Sequence, residues 1–513
     1  MSLEPAEPGV AADGPRGVAT TGRVATPGDR SEINSYRVDS FVRGRLFILR
    51  ARVMADAPRA TGNQMRAQNN ANSSAGNCKC AFCANNREFQ LPLPLLEAAC
   101  RGELVLFAGA GISTENKLAF PVNFYDEIRS KLEMADTPPF KAVMDEFCKQ
   151  PNGRALLLNA IRHRFDRAKQ RGQIYRASTR FHQVVATIPH LENIVTTNWD
   201  DFFEIVCNAV PFVTGEDFIF WNTAGRKVFK IHGSVNNYGS IVANSVDYKR
   251  CYKQLKTGLT GSNLRMLLAT RTVLFVGYSL RDAEFVRLLK LLAKDMGGMI
   301  PHAYIVAFTE ESAVRFNAMG LTSIVTDATF FMHNLRAHMV ERGLLLDESR
   351  FEGVIAKAEE IEGRHAGLAG LNKQLAPAIF YTAMFHDGVL AAFEHALASR
   401  PSGFFYDPHR ITHLIHEIHE SLVKLDSVGR YEDVAYLKGQ IDAYFYIMAK
   451  DDIRSAFPSY FVFGIEDAIR TEEAFLEDAA QASELHPKAY ERAVKIIEKN
   501  DRDSLAFHHG PHL

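Results

Sequence analysis

Between residues 91 and 327, short apolar runs alternate with stretches of helical periodicity. The runs 103–108, 193–197, 226–231, 272–276 and 303–307 are rich in Val, Ile, Leu and Phe. Their apolarity is continuous rather than alternating, as expected of strands covered on both faces in a parallel sheet. Residues 123–134 and 200–209 read as helices between them. This alternation predicts an α/β, doubly wound, mainly parallel sheet across residues 91–330. Beyond it the strand signal ends. Leu414, Ile415, Ile418 and Leu422 share one helical face, and so do Tyr490, Ala493, Val494 and Ile497, which predicts an all-helical C-terminal domain over 331–513. The texture before residue 91 is different. The first thirty residues hold five Gly and four Pro, and such a segment buries too little apolar surface to offset its ordering entropy. Residues 1–90 are therefore expected to be a largely disordered extension, with Met54 and Met65 as alternative starts. Residues 59–76 read as a linker.

Composition narrows the classes. The chain has 513 residues, 47% of them hydrophobic, which suffices for a sizeable core. Its 59 Lys+Arg against 60 Asp+Glu give a net charge of −1, so binding nucleic acid through bulk charge is not expected. No apolar run reaches the ~18 residues of a membrane span; the best, 375–385, is short and contains Pro377. No secretory pattern opens the chain. Seven cysteines, an odd number unevenly placed, fit a reducing cytoplasm. Three of them, Cys78, Cys80 and Cys83, are spaced closely enough to chelate zinc, given a fourth ligand such as Cys100 or a distant His. An inert thiol cluster is the alternative.

Four strand ends carry candidate chemistry. In the first, Leu104-Val105-Leu106-Phe107-Ala108 runs into Gly109-Ala110-Gly111-Ile112-Ser113. Glycines permit a tight turn and a close approach of backbone N–H groups to a phosphate, and Ser113 adds a hydroxyl. A plain glycine turn is the competing reading, and the Gly-x-Gly-x-x-Gly spacing of dinucleotide sites is not met at Thr114. The second, Ile194-Val195-Thr196-Thr197-Asn198-Trp199-Asp200, turns polar where ligands bind in open α/β sheets. Asn198 can donate and accept toward a ribose hydroxyl or a water; alternatively Asn198 or Asp200 caps the following helix. The third, Phe229-Lys230-Ile231-His232-Gly233-Ser234, places a histidine at the same edge, suited to general base work or else to a core position. In the fourth, Gly277-Tyr278-Ser279-Leu280-Arg281-Asp282, Gly277 and Ser279 reach the crevice, while Arg281 and Asp282 read as a structural pair.

Taken in order, the four motifs resemble the sirtuin-type, Rossmann-like NAD-binding domain. More specifically they resemble the bacterial sirtuin-like branch found as effectors of anti-phage defence. The resemblance implies that Gly109, Ala110, Gly111 and Ser113 hold the diphosphate of NAD+. It implies that Asn198 and Asp200 contact the nicotinamide-side ribose or position a water, that Thr197 helps to bind the cofactor, that His232 is the base at that ribose, and that Gly277 and Ser279 lie near the adenosine half. Deacylating sirtuins carry two Cys-x-x-Cys pairs after the catalytic His, whereas here only Cys251 follows His232. Their Asp-Phe-Arg stretch is also missing from Phe120-Pro121-Val122-Asn123-Phe124-Tyr125, of which Pro121 and Phe124 remain as candidate pocket walls. These departures favour NAD+ hydrolysis over protein deacylation or ADP-ribosyl transfer. A non-catalytic nucleotide sensor is the rival of another class. A toxic NAD+-consuming activity needs a gate, which points to a homo-oligomer or an activating partner acting through the helical domain.

Overall fold

The computed structural model describes residues 86–113, 120–278 and 303–499, together with positions 286, 287, 290 and 294. All described residues fall in one compact unit. Seven strands form the sheet: β1 (Leu104–Ala108), β2 (Asn193–Thr196), β3 (Val210–Phe212), β4 (Lys227–Lys230), β5 (Thr272–Val276), β6 (Ala303–Ala307) and β7 (Thr322–Val325). Every pairing is parallel, in the order β3-β4-β2-β1-β5-β6-β7. From β1 the chain builds outward on one side and then, from β5, on the other. The sheet is thus doubly wound, and its switch point lies between β1 and β5.

Helices cover both faces. They are α1 (Leu93–Cys100), α2 (Phe124–Lys131), α3 (Phe140–Cys148), α4 (Gly153–Gln170), α5 (Gly172–Ala186), α6 (Phe202–Cys207), α7 (Ser245–Thr257), α8 (Leu259–Thr270), α9 (Glu310–Asn317) and α10 (Ala328–Glu341). One face of the sheet presents Val105, Phe107, Val195, Phe229, Val273, Phe275 and Ile305. These pack against Tyr248 and Leu255 of α7, Leu264 and Leu268 of α8 and Phe316 of α9. The alternate residues, Leu106, Ile194, Val228 and Leu274, are equally buried on the opposite side. Burial on both sides is why the strands read as continuous apolar runs. Below the site, Arg226 donates to the carbonyls of Val185, Ile188, Leu191 and Cys207 at 2.8–3.1 Å, joining the ends of α5 and α6 to the start of β2.

The described residues that follow are mainly helical: α11 (Glu352–Gly367), α12 (Ala376–Ala398), α13 (Pro408–Ser427), α14 (Tyr431–Met448), α15 (Glu472–Ala480) and α16 (Pro487–Lys499). An isolated antiparallel bridge joins Tyr460 and Ile469. The sequence reading of 375–385 as too short to span a membrane needs correction. Residues 373–398 form one helical stretch of 26 residues that is long and apolar enough to cross one. Pro377 sits in its first turn, where the missing N–H costs nothing, so it opens the helix instead of breaking it. Of its most apolar window, 83% is buried inside the protein. Arg410 of α13 pairs with Glu192 just before β2 at 3.1 Å, and Asp407 faces His190 at 3.8 Å, so the helical half touches the strand that leads into the site.

Candidate functional site

All strands being parallel, the four motifs emerge from one edge of the sheet. They end β4, β2, β1 and β5, four consecutive neighbours, with Ala108 level with Thr196 and Val276, and Thr196 level with Lys230. The crevice beyond the carboxyl ends of such strands is the ligand position of doubly wound sheets.

At the switch point the two glycine turns are locked together. The Gly109 N–H donates to Val276 O and the Gly111 N–H to Gly277 O, each at 2.9 Å. A Cβ on Gly109 would lie 2.7 Å from Gly277 O and 2.8 Å from the Tyr278 ring, and Gly277 itself has φ +70°. These glycines therefore let the β1 and β5 turns touch backbone to backbone. Gly111 lies at the surface of the turn and Ala110 is partly exposed.

Beside this turn runs a buried polar chain. The Asn198 amide donates to Gly109 O and to the Ser113 hydroxyl, both at 3.1 Å. Ser113 in turn donates to Asp200 Oδ2 at 3.0 Å. It is fully buried, so its hydroxyl serves the Asn198–Asp200 pair instead of reaching the mouth as a phosphate donor. Asp200 Oδ1 accepts the Phe202 N–H at 3.2 Å. One carboxylate oxygen thus supports the start of α6 while the other accepts from Ser113. Burial pushes the Asp200 carboxyl up, against the downward pull of Lys230, the Phe202 N–H and Ser113. Asn198 Oδ1 is buried with no hydrogen-bond partner among the described residues. An unpaired buried acceptor is costly and calls for a donor.

The other candidates lie around this chain. His232 is nearly buried, its ring edge-on to Tyr248 at 5.3 Å. Gly233, at φ +83°, passes so close to Ser240 that any Cβ would collide with its carbonyl. The Thr197 hydroxyl meets the Tyr278 hydroxyl at 3.1 Å, and Tyr278 donates to Ala108 O at 3.0 Å, a second link between β1, β2 and β5. Phe124 meets Trp199 edge-on at 5.8 Å, which ties α2 to the β2 motif. Pro121 is exposed, and the Tyr125 hydroxyl donates to Pro138 O at 2.7 Å. Ser279, and the candidate zinc ligands Cys78, Cys80 and Cys83, lie outside the described residues. Among the described residues no group of three or more His, Cys, Asp or Glu could hold a metal ion.

Sequence reasoning passed over Lys230 and Tyr278. The signal for Lys230 was present: a charged residue inside a strand buried on both faces demands a partner. Its side chain is completely buried, and its ammonium donates to Asp200 O and, at 2.9 Å, to Glu204 Oε1. Tyr278 gave no comparable signal, because a tyrosine after a glycine turn is ordinary.

A doubly wound parallel sheet, with interlocked glycine turns at its switch point and a buried polar chain beside them, defines a Rossmann-like α/β domain. Comparison with known proteins narrows that class. Residues 192–324 match the family model described as SIR2-like domain, which takes in the motifs of β2, β4 and β5; the glycine turn of β1 lies upstream of it. Over 213 residues the chain is 23% identical to Defense-associated sirtuin 2 of Bacillus subtilis, a match covering 39% of this chain and 20% of that protein. The chain thus spans about a fifth of that relative's length. Both matches support the sirtuin-like resemblance, which the family model carries through the motifs of β2, β4 and β5. SIR2-like domains use NAD+.

Proposed function

We propose that the protein is an NAD+ glycohydrolase, cleaving NAD+ to nicotinamide and ADP-ribose or a cyclic form. The observation that carries this reading is the buried Asn198–Ser113–Asp200 chain. It ends in an Asn198 oxygen with no hydrogen-bond partner among the described residues, at the strand edge where a SIR2-like domain would place its nucleotide. In the proposed step the bond between ribose C1′ and the nicotinamide nitrogen breaks, its electron pair leaving with nicotinamide. A water oxygen bonds to C1′ and gives its proton to His232. Asn198 Oδ1 orients that water or the adjacent ribose hydroxyl, and Asp200 holds Asn198 in place through Ser113. Orientation and fixed dipoles together supply most of the barrier lowering in such a site. Thr197, Ala110 and Gly111, with Gly109 and Gly277 shaping the turn, line the nucleotide's path; Pro121, Phe124 and Ser279 are its remaining candidate walls.

The name of the relative supports a role in defence, in which NAD+ depletion arrests the host cell. The helical half, as a regulatory or assembly domain, would gate the activity through a homo-oligomer or an activating protein in the cytoplasm. The His232→Ala variant tests the assignment: it is expected to bind NAD+ within about threefold of wild type while turnover falls at least 100-fold, the usual scale for losing a general base. Loss of binding with turnover per bound NAD+ unchanged would refute it.

A further inference from the structure

Lys230 stands at the end of β4, on the sheet face that carries α5 and α6. Its same-face neighbour Val228 is fully buried and apolar, so packing alone does not call for an ammonium here. Burying one costs several kcal/mol unless it is paired and hydrogen-bonded. Both partners of Lys230 lie on one short segment: the main-chain oxygen of Asp200 and the carboxylate of Glu204. That segment is the turn from Asn198 into α6. The cation thus grips from below the same turn that Ser113 and Asn198 hold from above.

We propose that Lys230 is a positioning residue for the reaction. Its buried ammonium, bonded to the Asp200 main-chain oxygen and the Glu204 carboxylate, fixes the 198–204 turn, so that the Asp200 carboxyl stays in place to accept the Ser113 hydroxyl and Asn198 stays aimed at the crevice. The inference rests on the NAD+ hydrolase reading only for its kinetic consequence. The groups facing Asp200 are Ser113 from the β1 turn, Lys230 from β4, and Asp201 and Glu204 from its own segment. Asp201 is itself paired with Lys169 of α4 at 2.6 Å. His182 of α5, within electrostatic reach of Lys230, is held neutral, pushed down to about 3 by burial first and Lys230 second. Burial pushes both the Asp200 and Glu204 carboxyls up, and for both Lys230 is the foremost opposing influence.

The test uses Lys230→Met and Glu204→Gln in the full chain with Trp221→Phe, leaving Trp199, beside Asp200, as the sole tryptophan. Two readouts are followed against pH: nicotinamide release from NAD+, and Trp199 fluorescence without NAD+. Lys230→Met removes a cation, and is expected to raise the acid limb of the rate profile and the fluorescence midpoint together by about one pH unit. Glu204→Gln removes an anion and should move both down. A loosened structure would not shift two variants in opposite directions. Midpoints that stay put, or that move the same way in both folded variants, overturn the proposal. Should Lys230→Met not fold, Glu204→Gln decides alone, a downward shift supporting the proposal and any other result refuting it. If wild type releases no nicotinamide at any pH, the hydrolase reading fails, and the fluorescence titration still decides the role of Lys230.

Discussion

The polar groups beside the glycine turn hold one another in a chain. Asn198 is the outermost member; Ser113 bridges it to Asp200, and Lys230 and the Phe202 N–H hold Asp200. A group so enclosed keeps one rotamer, which is the condition for preorganised catalysis. Ser113→Ala cuts the chain at its centre. The expected cost is about 1 kcal/mol of stability, typical of one lost hydrogen bond. Without its Ser113 partner the Asp200 carboxyl rises further, so the acid limb of activity should move to higher pH. Chemical denaturation and a pH–rate profile check the two effects separately.

Among the elements, the contact between the β1 and β5 turns matters most for the site. Gly277→Ala would force a methyl to 2.8 Å from Gly109 O at a φ of +70°. Strain of this kind costs about 1–3 kcal/mol, and the opened turns should weaken NAD+ binding, measurable by calorimetry. Five strands were legible as continuous apolar runs, because burial on both faces removes the polar alternation. β3 (Val-Pro-Phe) and β7 (Thr-Ser-Ile-Val) were not. They flank the sheet, are only three and four residues long, and expose Pro211 and Thr322, so neither reads as a run. The four strand-end motifs were legible because parallel topology sends every carboxyl end to one side. What the sequence did not show is which polar atoms satisfy each other: the Ser113–Asp200 bond spans 87 positions and leaves no trace in local spacing. The long helix α12 was misread for the opposite reason. Pro377 looks like a breaker in a linear scan, yet its place within the first turn makes it harmless.

For the molecule as a whole, buried histidines set the response to acid. Burial lowers His182 and His386 to about 3 and His333 to about 4. Each folded-state value lies below the ordinary one of about 6.5, so the unfolded chain binds protons that the folded chain refuses. The stability tied to these groups is present above about pH 6.5 and is lost as pH falls toward their folded values. Asp200 and Glu204, raised by burial, act in the opposite sense: their contribution is present in acid and is lost as pH rises through the elevated values. His182 has neither ring nitrogen bonded among the described residues and packs on Phe202 and Phe203. His182→Leu should therefore remove about 2 kcal/mol of the stability difference between pH 7.5 and pH 5, read from urea midpoints at the two values. The near-neutral charge of the chain fits the proposed small-nucleotide ligand better than a nucleic acid.

The proposed role of Asn198 in NAD+ hydrolysis without a protein acceptor is tested most directly by nicotinamide release from NAD+ with no acylated peptide present, wild type beside Asn198→Ala. The expected result is steady release by wild type and a rate about 100-fold lower in the variant, the scale of losing one orienting or charge-stabilising group. Release that requires an acylated peptide, or that proceeds equally fast without the Asn198 side chain, would contradict it.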